Sequence, residues 1–238
     1  MKTTMTLRSL IKAVWLIGIY FFCLIGFAQE TSSNSESETN SKSTFFDSKE
    51  RQRFFAIMIG GHKPFTSGDN FMGEGLEGKS GIDFKVQMYI YKHFFIGLST
   101  GASYFNVKNQ ELLGAYKKSR IAENYVYIGY EFFPTDKLRL GLNISIDSDL
   151  DYKNTGFSTS DISEQNDSAK LNRYGLYLNY ELSKHFMVYL DYGYNESKTE
   201  IVVPAELDNF FKKGKYSTIG LGLVFTIGSR DLISRFVD

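Results

Sequence analysis

The chain has 238 residues, with 27 basic and 27 acidic side chains and a formal charge of zero. So even a balance excludes the basic footprint that a nucleic-acid partner needs. One cysteine excludes an internal disulfide, and three scattered histidines do not make a metal centre. The length suits one domain.

Residues 1–28 read as an export signal. Lys2, Arg8 and Lys12 give a positive start, Ala13 to Phe27 is uncharged and apolar, and Gly26 and Ala28 place small residues where a signal peptidase reads. About 15 apolar residues falls short of the roughly 20 that a membrane-crossing helix needs, so a retained anchor is the weaker reading. Cys23 follows Phe21 and Phe22, which are too bulky for a lipidation site. Cleavage after Ala28 removes Cys23 and Trp15, the sole residues of their types, and leaves 24 basic against 27 acidic residues, a net charge of −3. No thiol chemistry then remains, although the destination permits disulfides. Residues 29–50 are rich in Ser, Thr, Asn and Glu, with Phe45 and Phe46 their one apolar point. Such a segment cannot offset its ordering entropy and is expected to be a flexible polar leader.

From residue 51 to 228 the hydrophobic period becomes two. Leu138, Leu140, Leu142, Ile144 and Ile146 alternate with Arg139, Gly141, Asn143, Ser145 and Asp147, which a strand separates onto two faces. The same alternation predicts strands at Phe54–Phe65, Ile82–Tyr91, Phe94–Val107, Ile121–Phe133, Leu138–Asp147, Leu171–Leu182, Phe186–Asn195 and Thr218–Ile227. Phe54 to Ile59 is apolar on both faces and fixes its register least. Tight turns at Lys92–His93, Phe133–Lys137 and Ser183–Lys184 alternate with long polar loops at Thr66–Lys79, Lys108–Arg120, Ser148–Lys170 and Glu196–Lys215. Lys-His-Phe recurs at 92–94 and 184–186, a weak hint of a repeated hairpin.

The polar face carries Asp83, Lys85, Glu123, Glu131, Arg139, Asp147, Arg173, Glu181 and Asp191, together with tyrosines and most of the strand glycines. Large polar groups beside very small ones suit a narrow lumen; the aliphatic face suits lipid. Turned the other way, the chain would be a soluble barrel with glycine-studded strands and no reason for unequal loops. Phe94, Phe132, Phe133, Tyr180 and Phe186 near the tight turns, and Tyr104, Tyr174, Tyr192 and Tyr194 near the long loops, read as two interfacial girdles.

The pattern resembles the small outer-membrane β-barrel proteins of Gram-negative bacteria, more specifically porin-family barrels of the Bacteroidetes type. The resemblance covers Arg53–Gly228, a signal ending in Phe27-Ala28-Gln29, and a last-strand motif at Thr218, Gly220, Leu223 and Phe225. It implies an all-β fold: an eight-stranded antiparallel up-and-down transmembrane barrel, set among outer-membrane lipid and lipopolysaccharide. In such families the last-strand motif is the signal read by the barrel assembly machinery. Many of those barrels end on an aromatic residue. This chain continues through Ser229–Asp238, a short periplasmic tail whose Leu232, Ile233, Phe236 and Val237 suit an amphipathic turn at the inner leaflet.

Three functions follow for weighing. Glu131 and Arg139 mirror each other about a tight turn, and Asp147 and Arg173 lie near the long-loop end of adjacent strands, so both pairs are expected to neutralise each other in the lumen. A static plug is favoured over a gate, because eight strands enclose little more than side chains. For catalysis, His93 and His185 sit at the tight turns; only His62, with Asp83 and Ser80, lies near the long loops, and no enzyme, cofactor or metal is expected. Lys117, Lys118 and Arg120 form a basic loop patch that faces anionic lipopolysaccharide, whereas Ser148–Lys170 is acidic. The expected role is structural, adhesive or of limited permeability, as a monomer. An accessory barrel of a type IX-like secretion system, with an unidentified periplasmic partner, is the nearer alternative, and a lipid A-modifying enzyme the more distant one.

Overall fold

The computed structural model describes residues 51–156, 164–201 and 203–237. The predicted signal and leader lie outside the described residues. Eight antiparallel strands close into one ring in sequence order, with β1 bonded to β8. They are β1 (Phe55–Thr66), β2 (Leu76–Tyr91), β3 (Phe94–Val107), β4 (Tyr116–Thr135), β5 (Leu138–Gly156), β6 (Glu164–Ser183), β7 (Phe186–Thr199) and β8 (Lys213–Ile227). Four short helices decorate the ring: α1 (Phe71–Gly75), α2 (Gln110–Leu113), α3 (Asp208–Lys212) and α4 (Ser234–Val237).

Each predicted strand is present, and seven of them continue further toward the long loops. The β5–β6 hairpin is the largest single extension, because Leu150–Thr155 pairs with Glu164–Ala169 where a polar loop was expected. In that extension Leu150, Tyr152 and Ala169 alternate inward at the strand period, in step with Leu171. Their outward neighbours face water and are polar, which disguises the strand as a loop.

In the lower part of the ring, below the upper girdle, the exterior is apolar: Leu221 is 61% and Leu142 49% exposed. The interior carries the charges, and Glu131 and Arg139 are 0% exposed. Such an exterior suits hydrocarbon, not water. The doubly apolar start of β1 resolves with Ala56 and Met58 inward and Ile57 and Ile59 outward. Large rings fold over glycines inside: a Cβ at Gly97 would meet the Tyr127 ring, and one at Gly141 the Tyr177 ring.

The aromatic girdles follow with one correction. Phe94 packs edge-on to Tyr130 (4.7 Å) and Tyr130 to Phe132 (4.8 Å) on the outside. Tyr104, Tyr174 and Tyr192 are exposed at the upper level. Phe133, however, shares the parity of Glu131 and points inward, its ring 4.7 Å from that of His93 and stacked beneath the Arg51 and Arg139 guanidinium groups.

Both described chain ends cross the tight-turn mouth. Phe54 stays with β8 and β2 through Phe54 N–H to Ile227 O (3.1 Å) and Tyr89 N–H to Phe54 O (3.0 Å). Three residues earlier, Arg51 has reached the far wall, donating to Thr135 O (2.6 Å) and Glu181 (2.7 Å). At the other end Gly228, with φ of +77°, turns the chain out of β8. The tail then follows β2, with Leu232 N–H to Tyr89 O and Ile233 N–H to Ile90 O, both 3.0 Å. Buried Asp231 accepts from Ser234 N–H and Oγ–H at 2.8 Å, which starts the expected turn α4.

Candidate functional site: a filled lumen with a folded head

Three layers of polar contacts fill the lower lumen. At the tight-turn end, Arg139 pairs with Glu131 (2.9 Å) and Glu181 (2.6 Å), and its remaining nitrogen donates to Arg51 O (2.6 Å). Tyr89 and Tyr177 donate their hydroxyls to Glu131 at 2.9 and 3.0 Å. In register Glu131 faces Gly141, and an irregularity between Phe132 and Thr135 lets Arg139 reach it diagonally. In the middle layer, Lys85 bridges Asp83 (3.0 Å) and Asp191 (2.7 Å), and Arg173 joins Asp191 at 3.2 Å. Each buried ion would cost several kcal/mol alone, so these contacts are what makes the charges tolerable. A cavity beside Gln87, Tyr127 and Asp191 measures about 10 Å³, room for roughly one water.

Asp147 is not part of this network. A register irregularity between Ile144 and Leu150 shifts the parity of β5, so Ser148 takes the inward place and Asp147 turns out to Lys170 at 3.7 Å. The partner of Arg173 is therefore Asp191 on β7, not Asp147 on β5. Lys170 also donates to Asp149 (2.9 Å), and that hydrogen bond holds its ammonium pKa above the ordinary lysine value.

The upper layer contains His62, Ser103, Glu123 and Tyr216. His62 Nε2 lies 2.8 Å from Ser103 Oγ, and Ser103 and Tyr216 each donate a hydroxyl to Glu123 at 2.8 Å. The polarity of this chain is opposite to that of a serine nucleophile and its base. The Ser103 proton goes to a carboxylate that only accepts, so Ser103 Oγ accepts from a His62 Nε2–H. His62 Nδ1 stands 3.9 Å from Asp83, too long for a hydrogen bond. Ser80, the expected neighbour, is exposed and pairs in register with outward Tyr104. Among the described residues, no cluster of His, Cys, Asp and Glu has metal-binding geometry.

Above the upper girdle the strands enclose an apolar core. Phe105, Ile121, Leu150, Leu171 and Leu76 are buried, and α1 inserts Phe71 and Met72 among them. Phe71 stacks on Phe211 (6.1 Å) and meets Tyr152 edge-on (5.9 Å). Asn70 fixes this insertion: Oδ1 accepts from Met72, Gly73 and Lys215 N–H, each at 3.2 Å. The head's exterior is charged. Lys117, Lys118 and Arg120 are exposed, but on the wall of β4, not in a loop, because the inward side chains Ser119 and Ile121 continue the strand. Arg120 lies over the Tyr104 ring at 5.9 Å and faces Lys153 in register. Arg51, Phe71 and Met72 carry no signal of their roles in sequence, whereas Ser103 is reachable because it shares the inward parity of Gly101.

The family described as outer membrane protein beta-barrel domain matches this chain over residues 56–226. Among solved structures, Neisserial surface protein A aligns with a TM-score of 0.54 at 10% identity, covering 73% of this chain and 97% of that one. Ail, the attachment invasion locus protein of Yersinia pestis, aligns with a TM-score of 0.48 at 15% identity, over 74% of this chain and 99% of that one. A search of curated protein sequences finds no match.

Proposed function

The chain belongs to the outer membrane protein beta-barrel domain family, and from that premise we propose that it is a closed barrel anchoring a folded head on the outer surface of the outer membrane. The observation that carries this reading is that both ends of the ring are filled, by the Arg51–Glu181–Arg139–Glu131 cluster below and by the α1 insertion above. The role is structural and adhesive, without catalysis; conduction is the lesser reading. The tight turns face the periplasm and the head faces outward, where Lys117, Lys118 and Arg120 present a basic strip to anionic lipopolysaccharide. On β8, Thr218 and Gly220 point inward while Leu223 and Phe225 face lipid, and this last-strand motif serves the barrel assembly machinery.

Planar-bilayer recording tests the closed state. The wild-type protein is expected to give no resolved steps, and Glu131→Ala or Arg139→Ala brief openings at most. A stable channel in the wild type overturns the reading. Purification from native outer membrane is expected to return the barrel alone; a stoichiometric complex would favour a secretion accessory.

A further inference from the structure

The wall of the barrel is not uniformly laddered. β1 and β2 pair only up to His62 and Gly81. Beyond that point β1 continues on β8 as far as Thr66, and β2 continues on β3 as far as Leu76. The facing edges therefore run side by side without a ladder from Lys63 to Thr66. Pro64 has no N–H to offer such a ladder, which is why proline is tolerated there. Across the seam Gly78 admits the Pro64 carbonyl at close range, and β2 is irregular between Gly78 and Ser80. Thr66 Oγ closes the top by donating to Leu76 O at 2.8 Å.

A groove of about 330 Å³ follows this seam. Pro64 and the inward-pointing Leu76 line its floor but are buried, so its exposed apolar side chain is Phe65. Phe65 is outward and exposed at its edge, with Lys63 Nζ 5.6 Å above its ring. Lys108 lines the other end and leans on Gly73 O (2.7 Å) with one of its three donors. With Glu77 also present, the groove has a net charge of +1. Its lower end meets the lipid-facing belt: Lys63 pairs in register with exposed Ile219, and Ile219 with the girdle residue Tyr192.

We propose that this seam is a binding site for one anionic lipid of the leaflet at the long-loop end. The headgroup phosphate lies between Lys63 and Lys108, and the start of an acyl chain lies against Phe65 and runs down past Ile219 into the hydrocarbon belt. The occupant is a lipid because the groove opens from the hydrocarbon belt, and an anionic one because cations outnumber the single carboxylate. The site is blind: below it the lumen is closed by the His62–Ser103–Glu123 layer, so the lipid is held, not passed.

The test uses the full chain in phospholipid nanodiscs, in a Trp15→Phe background so that an added tryptophan is the sole one. Phe65→Trp reports the seam, and Tyr174→Trp reports ordinary lipid at the upper girdle on β6. Brominated phosphatidylglycerol and brominated phosphatidylcholine serve as quenching probes. At position 65 the anionic probe is expected to quench about threefold more effectively than the zwitterionic one, the preference one exposed ion pair can supply. Lys63→Gln with Lys108→Gln should abolish that preference while leaving quenching at position 174 unchanged. Equal quenching by the two lipids at position 65 overturns the proposal. So does a preference that survives the double lysine variant, or one that appears equally at position 174. Heat-modifiable migration on gels confirms that each variant retains the barrel.

Discussion

The lower ring and the head are built from the same eight strands, yet they bury opposite chemistry. Below Tyr104 and Tyr174 the strands enclose Glu131, Arg139, Lys85 and Asp83 and turn Ile128, Leu142 and Leu221 outward. Above those tyrosines they enclose Phe105, Ile121, Leu150 and Leu171 and turn out Lys118, Arg120 and Lys170. The backbone alternation is common to both; only the solvent differs. The head can therefore rely on apolar burial from water. The lower ring has no such drive across its lipid face, and its specificity rests on the wall ladder and on paired charges.

If that contrast holds, substitutions should fail for different reasons in the two regions. The largest effect is expected for Arg139→Ala, which leaves Glu131 buried and unpaired and should cost about 3–5 kcal/mol. Urea unfolding of the lipid-reconstituted protein measures it, and the Glu131→Gln, Arg139→Met double variant should recover much of the loss. In the head, Leu150→Ala should cost roughly 2–5 kcal/mol by leaving a cavity. Its signature should be protease sensitivity confined to the head, with the lower ring still resistant. Loss of protection in both regions together would mean they are not separable. Asn70→Ala removes the cap of α1 and should cost about 1 kcal/mol, read as faster hydrogen exchange at Met72 and Gly73. The smallest effect is Lys170→Gln, at most a few tenths of a kcal/mol because the pair is solvated. The Lys170 pKa is raised in the folded state, so its contribution is complete at neutral pH and disappears as pH climbs past the ordinary lysine range.

How far the sequence was legible depended on the same boundary. Within the hydrocarbon-facing span one face is forced to be aliphatic, so Leu138 to Ile146 declares itself at once. In the head the outward face is free to be polar, and Leu150, Tyr152 and Ala169 are too diluted among Asp, Asn, Ser and Lys to announce a strand. The pairing of Glu131 with Arg139 could be read from a local mirror about a turn. The Lys85–Asp191–Arg173 cluster could not, because it joins β2, β7 and β6 across the ring. Asp147 was misplaced by one irregularity in β5, since a single extra residue inverts every later assignment of face.

The crossing of the tight-turn mouth by residues 51–54 has a mechanical consequence. Any tension applied to the chain ahead of Arg51 does not load β1 first. It is delivered to the far wall, where Arg51 grips Thr135 O and Glu181 and where Arg139 in turn holds the Arg51 carbonyl. A pull from outside the tight-turn mouth thus acts as a lever on the innermost ion cluster, across the barrel from the strand to which the segment is covalently joined.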